Sequence, residues 1–288
     1  MSTRETTLPP PQQARPTPRR GASTRGLWLT IAAQMMSADF LKLRKKRGTV
    51  IWALLLAIAP LVVYFIVRAA QHSSNPAATP PAGGIYGYTD ALRLVGAIFG
   101  PLAAILIGAE AGAGDVAAGV FRDLVATGRS RLALFATRVP AAIALSWIVS
   151  SAAYAVLVIG IYALAAGSPT SSASEMLDGY GFSLLSTGVI CAIAVGLGAV
   201  TASRPATLTA LIGWQLIASP ILANISSLGN SRELVLSQAT FQFSPIKLTG
   251  GHGAQVVSMA TGTALAVLAV WLIVFLALGA WRTRTMDA

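Results

Sequence analysis

The sequence predicts an all-α membrane protein: six transmembrane helices, an amphipathic interfacial helix before the first, and a short cytoplasmic helix between the second and third. Three observations carry this. Hydrophobic residues make up 55% of the chain and charged ones only 11%, far from the roughly one-quarter charged residues of a soluble domain. Six long runs contain no charged side chain, and Lys and Arg are spread unevenly over the segments between them.

Residues 1–25 are rich in Pro, Thr and Arg and have almost nothing to bury, so a disordered tail is expected. They do not form a signal peptide, because no apolar core follows a short basic start. In the next segment Leu27, Trp28, Ile31, Met35 and Ala38 recur at helical spacing, and five of the six residues from Lys42 to Arg47 are basic. That pattern fits a helix lying in the membrane interface. A six-span domain then occupies residues 26–288, with spans at about 50–67, 94–109, 139–166, 179–203, 205–228 and 254–281. The second run is only 16 residues long, short of the ~20 that cross a bilayer, so it must extend into Leu92 and Arg93 or into Ala111 to Gly114. Pro60, Pro101 and Pro220 lie inside spans, where neighbouring helices can satisfy loosened backbone groups. Between spans five and six, residues 229–253 include RELVLSQATFQFSPIKL, apolar enough to lie on or dip into the membrane.

Orientation follows from the basic residues. Of 21 Lys and Arg, 17 fall on one side and only Arg68, Arg93, Arg232 and Lys247 on the other, which puts both termini in the cytoplasm. The same distribution explains the basic isoelectric point through contact with membrane lipid, without nucleic acid. The single cysteine, Cys191, excludes an intrachain disulfide and reads as a small buried hydrophobe.

Enzymatic groups are sparse. The two histidines, His72 and His252, both lie in outer loops, so no histidine-based catalytic centre can be assembled within the spans. No cluster has metal-ligand spacing, and no phosphate-binding loop is present. The chain therefore reads as a non-catalytic membrane subunit with no cofactor of its own. None of the six runs contains the Asp or Glu by which ion-coupled carriers are known. Their polar groups include Gln215, Asn224 and Tyr154, the candidates for a translocation path. For Gln215 the plainer role is an interhelical hydrogen bond.

The stretch GDVAAGVFRDLVATGRSRLALF, residues 114–135, interrupts this oily chain with five charges. Read as a helix from Asp115 to Thr127, it places Ala117, Val120, Phe121 and Leu124 on one stripe and Arg122, Asp123 and Thr127 opposite. Asp115 then suits the positive N-terminal end and Gly128 the stop.

This segment resembles the permease subunits of bacterial ATP-binding cassette exporters of the type-two class. Their second span ends in an acid, three residues, Gly-Thr, a Leu-rich stretch, Pro-x-Ser-Arg and a basic residue seven further on. The matching positions are Asp115, Gly119, Val120, Leu124 with Val125, Gly128, Ser130, Arg131 and Arg138, without a gap. Val120 replaces the usual Thr, Gly128 replaces Pro, and Glu110 competes with Asp115 for the acidic position. The resemblance implies an exporter in the bacterial plasma membrane, in which a separate ATPase subunit binds ATP and Mg while two permease copies, most simply a homodimer, form the path. The segment would be the coupling helix, with Phe121, Leu124 and Val125 buried in the ATPase and Arg122, Asp123 and Arg131 fixing register. Drug-like or peptide substrates fit an apolar path. The competing readings are a gradient-driven channel or secondary carrier, and a non-transporting sensor or assembly module.

Overall fold

The computed structural model describes residues 24–119, 128, 130–246 and 257–286. The predicted tail, most of the coupling segment (Phe121, Arg122, Asp123, Leu124 and Val125 included) and part of the last outer loop lie outside them. The protein is an all-α, multi-pass membrane protein; among the described residues there is no strand, and six helices are long and apolar enough to cross a membrane.

Helix α1 (Thr24–Lys45) precedes the spans. Its inward stripe runs through Ile31, Met35, Asp39 and Leu43, one residue every four, which leaves Ala38 exposed, contrary to its expected place on the apolar face. The four-residue register won because Asp39, Lys42 and Leu43 all find partners in the bundle. The spans are α2 (Arg47–Ser74), α3 (Gly84–Ala117), α4 (Arg131–Ala163), α5 (Ala173–Thr201), α6 (Arg204–Asn224) and α8 (Thr261–Thr285). Between the last two lie a 3₁₀ stretch, Ser226–Leu234, and the short helix α7 (Leu236–Phe241).

The helices run past the apolar runs because backbone hydrogen bonding continues into the polar interface. Thus α3 extends at both ends, to 34 residues. Helix α4 starts at Arg131, where the Ser130 hydroxyl accepts from the Ala133 N–H at 3.1 Å. Helix α5 starts at Ala173 behind a capping box of Ser172 and Glu175. In contrast α8 starts seven residues later than residue 254, since the Val257 N–H is taken by the Gln238 side chain at 3.0 Å, and α6 stops at Asn224, where Ile225 turns extended.

α3 and α5 form the centre and the other spans surround them. Helix α2 buries one stripe at four-residue spacing, Thr49, Ala53, Ala57, Leu61 and Phe65, and leaves Ile51, Trp52, Leu55, Val62, Val63, Ile66 and Val67 exposed. At the centre the backbones touch: a Cβ added to Gly112 of α3 would stand 2.4 Å from the Val195 carbonyl oxygen of α5. Such close approach is how helices associate where lipid removes the hydrophobic drive.

Helix α7 re-enters the bundle. Its Ser237 hydroxyl meets that of Ser219 in α6 at 2.6 Å, more than a turn below the end of α6, and Phe241 lies 6.4 Å from the Phe182 ring of α5. The Gln238 contact with Val257 satisfies backbone that membrane burial would otherwise leave without a partner.

Candidate functional site

Two features stand out, one at each end of the bundle. At the basic end, two buried carboxylates of α3 meet four cations from other elements. Asp115 pairs with Lys42 of α1 and with Arg138 of α4, the latter at 2.7 Å. Glu110 pairs with Lys46, between α1 and α2, and with Arg204 of α6 at 2.9 Å. Beside them Asp39 of α1 accepts from the Thr137 hydroxyl at 2.7 Å. Burial pushes the Asp39 carboxyl above its ordinary range, against the pull of Thr137, Arg138 and Lys42. The enclosed space is only ≈ 20 Å³, room for about one water, so this is a closed clasp and not a ligand pocket.

The clasp corrects the expectation for Asp115. Helix α3 continues through Ala117 and breaks at Gly119, whose φ of 70° is left-handed. Asp115 therefore occupies the last turn of a long helix, where the dipole disfavours an anion; Lys42 and Arg138 offset this. Buried, it fastens the base of the connector and is no part of an exposed docking surface. Glu110, its rival, sits one turn deeper in the same clasp.

The connector between α3 and α4 is residues 118–130, of which Ala118, Gly119, Gly128 and Ser130 are described. Gly128 is also left-handed, with φ 80°, and Ser130 caps α4. Arg131 donates to the Met286 and Arg284 carbonyls at the end of α8. It thereby joins the start of α4 to the end of α8, whose C-terminal dipole favours a cation.

The second feature is a cavity of ≈ 270 Å³ between α3, α6 and α7. It arises where two spans lose regular α geometry. Residues Arg93–Phe99 of α3 and Trp214–Ala218 of α6 form π turns, which recur at functional sites. Pro101 has no N–H to offer the Ala97 carbonyl four residues earlier, and the Gln215 side-chain amide of α6 donates to that carbonyl instead, at 3.1 Å. Gln215 lies eleven residues from Arg204, about 16 Å along the helix, near half of the ~30 Å hydrocarbon thickness.

Of the three path candidates, Gln215 alone lines this cavity, and it is an interhelical bond as well. Tyr154 is a correction: its hydroxyl donates to the Met176 carbonyl and meets that of Tyr88 at 3.2 Å, which locks α3, α4 and α5 together away from the cavity. Asn224 is another, exposed at the end of α6 with its amide donating to the Pro220 carbonyl at 2.9 Å. Sequence reasoning missed Arg93, Ser219, Ser237 and Phe241, which line the wall. Only Arg93 carried a signal, as a charge directly beside the shortest apolar run.

Gln215→Leu is expected to cost about 0.6 kcal/mol, the mean for a hydrogen bond between membrane helices, and to change which molecules the cavity accepts. Unfolding in nanodiscs and a substrate panel check the two effects separately.

No protein-family model matches the chain, and no curated protein matches it either. Among the described residues no group of three or more His, Cys, Asp or Glu could hold a metal ion.

Proposed function

We propose that the chain is the permease subunit of a bacterial ATP-binding cassette exporter of the type-two class. It lies in the plasma membrane with its basic end and both termini in the cytoplasm, and two copies form the path. A separate ATPase subunit binds ATP and Mg; this chain catalyses nothing itself.

The observation that carries this reading is the meeting of Asp115 and Arg138 at 2.7 Å. They are the first and last charged positions of the segment that resembles the family's coupling motif, and they close the base of the connector. A pull on the connector is thereby delivered to α1, α3 and α4, and through Glu110 and Arg204 to α6, the span that carries Gln215. The force reaches the cavity through contiguous packed elements that can shift between inward- and outward-facing arrangements. The described cavity wall carries no Asp or Glu, the groups that commonly mark a proton- or ion-coupling site in mid-membrane, and this supports energy from ATP over an ion-coupled carrier.

The test is the double variant Phe121→Ala with Leu124→Ala. It is expected to insert and fold normally while transport falls to background, because the ATPase loses its apolar contact. Transport at the wild-type rate in vesicles containing both subunits contradicts the assignment.

A further inference from the structure

We propose that the cleft at the end of α2 remote from the clasp binds a phosphatidylethanolamine molecule of the surrounding bilayer, with its phosphate on Arg68 and its ammonium on Asp90. The site lies apart from the cavity that Gln215 lines and does not depend on coupling to an ATPase.

Depth is the first ground. Arg68 stands twenty-one residues beyond Arg47 on α2, about 31 Å of helix, and Asp90 stands twenty residues before Glu110 on α3, about 30 Å. Both lengths match the ~30 Å hydrocarbon thickness, so the two charges share the head-group level of the leaflet opposite the clasp. Their side chains lie 4.0 Å apart, and the Tyr64 hydroxyl donates to Asp90 at 3.3 Å.

The cleft itself is the second. It measures ≈ 750 Å³, within the range of small-molecule sites, about 300–1,000 Å³. Its lining follows the order of a lipid: Ile66 and Val67 come on the membrane side of Arg68, and Gln71, Ser74 and Thr79 beyond it. The loop on its far side is fixed, since His72 Nδ1–H donates to the Thr79 carbonyl at 2.7 Å and the Ala78 N–H to the Asn75 side chain at 3.2 Å. Ile66 also borders a groove of ≈ 270 Å³ between α2 and α4, lined by apolar residues alone, Val62, Val156 and Ile159 among them. That groove accepts an acyl chain.

Charge is the third. The Arg68–Asp90 contact of 4.0 Å is too long for a hydrogen bond, and the buried Arg68 Nε has no hydrogen-bond partner, which in a native structure calls for a water or a ligand. Guanidinium takes phosphate oxygens in charge-assisted bonds, and a carboxylate takes the N–H donors of a primary ammonium. Phosphatidylethanolamine carries these two groups side by side. Phosphatidylcholine has no N–H to offer Asp90, and phosphatidylglycerol has no cation at all.

The test is native mass spectrometry of the full chain in detergent, offered dioleoyl phosphatidylethanolamine, phosphatidylcholine or phosphatidylglycerol at equal concentration. The ethanolamine lipid is expected to be retained best. Arg68→Gln should weaken its binding by about tenfold, since a charge-assisted bond is lost. Asp90→Asn, which still gives the Tyr64 hydroxyl an acceptor, should abolish the preference for the ethanolamine lipid and raise retention of the glycerol lipid. This second variant keeps the proposal falsifiable should Arg68→Gln not fold. Glycerophosphoethanolamine, the same head group without chains, should not displace the lipid; displacement at equal concentration makes a soluble phosphate compound the occupant and overturns the lipid assignment. Equal retention of the three lipids by the wild type, preference for another of them, or unchanged retention in folded Arg68→Gln overturns the proposal and leaves Arg68 and Asp90 as a surface ion pair. Failure here leaves coupling to an ATPase untouched, and failure of that coupling leaves the lipid result standing.

Discussion

Asp115→Ala is expected to destabilise the protein by about 3–5 kcal/mol, the cost of leaving one member of a buried ion pair without its partner. Asp115 is 7% and Arg138 5% exposed, and their oxygen and nitrogen lie 2.7 Å apart. Lys42, with 40% of its side chain exposed, cannot compensate in a low dielectric and is itself worth little; Lys42→Ala should cost under about 1 kcal/mol. Arg138→Met should match Asp115→Ala, and Asp115→Ala with Arg138→Met should cost much less than the sum, because neither charge remains. Denaturant unfolding in a double-mutant cycle measures this. Additive losses below about 1 kcal/mol for each single variant contradict the clasp.

Gly112→Leu is expected to remove most of the folded protein. The Cβ of any side chain there would stand 2.4 Å from the Val195 carbonyl oxygen and 3.0 Å from the Gly198 Cα. Both are backbone of α5, which cannot turn aside as a side chain can. The two central helices must therefore separate, and every element packed on them loses contact; overpacking of well-filled cores costs about 1–3 kcal/mol or more. Gly181→Leu is the control: it lies on the same central helix α5 and opens on empty space. Yield of monodisperse protein by size exclusion should fall several-fold for Gly112→Leu and hold for Gly181→Leu. Equal yields contradict the close approach of α3 and α5.

The six spans were legible in the sequence because lipid demands long uncharged runs, and the helices α2 to α6 and α8 each contain most of one. Their ends were less so. The Ser172-x-x-Glu175 box marks the start of α5 in the sequence itself, whereas the late start of α8 depends on Gln238 reaching Val257 across the bundle. Glu110 and Asp115 were visible as acids at the coupling motif, but their partners Lys42, Lys46, Arg204 and Arg138 come from three other segments, and no local pattern joins them. The cavity was hidden for the same reason. It needs the carbonyl loosened by Pro101, the amide of Gln215 and the return of α7 in one place, and each of these residues is ordinary in its own segment. Tyr154 and Asn224 were misjudged because a polar side chain in an apolar run marks a hydrogen bond as readily as a path, and only the partners tell which.

The measurement that tests the central claim most directly is detergent co-purification of the tagged chain from cells that make it naturally, with partner identification and an ATPase assay. The coupled-exporter reading predicts a stoichiometric ATPase subunit that is retained by wild type and lost from the Phe121→Ala, Leu124→Ala variant. A folded chain that purifies with no ATPase, or one whose ATPase stays bound to the variant, contradicts it.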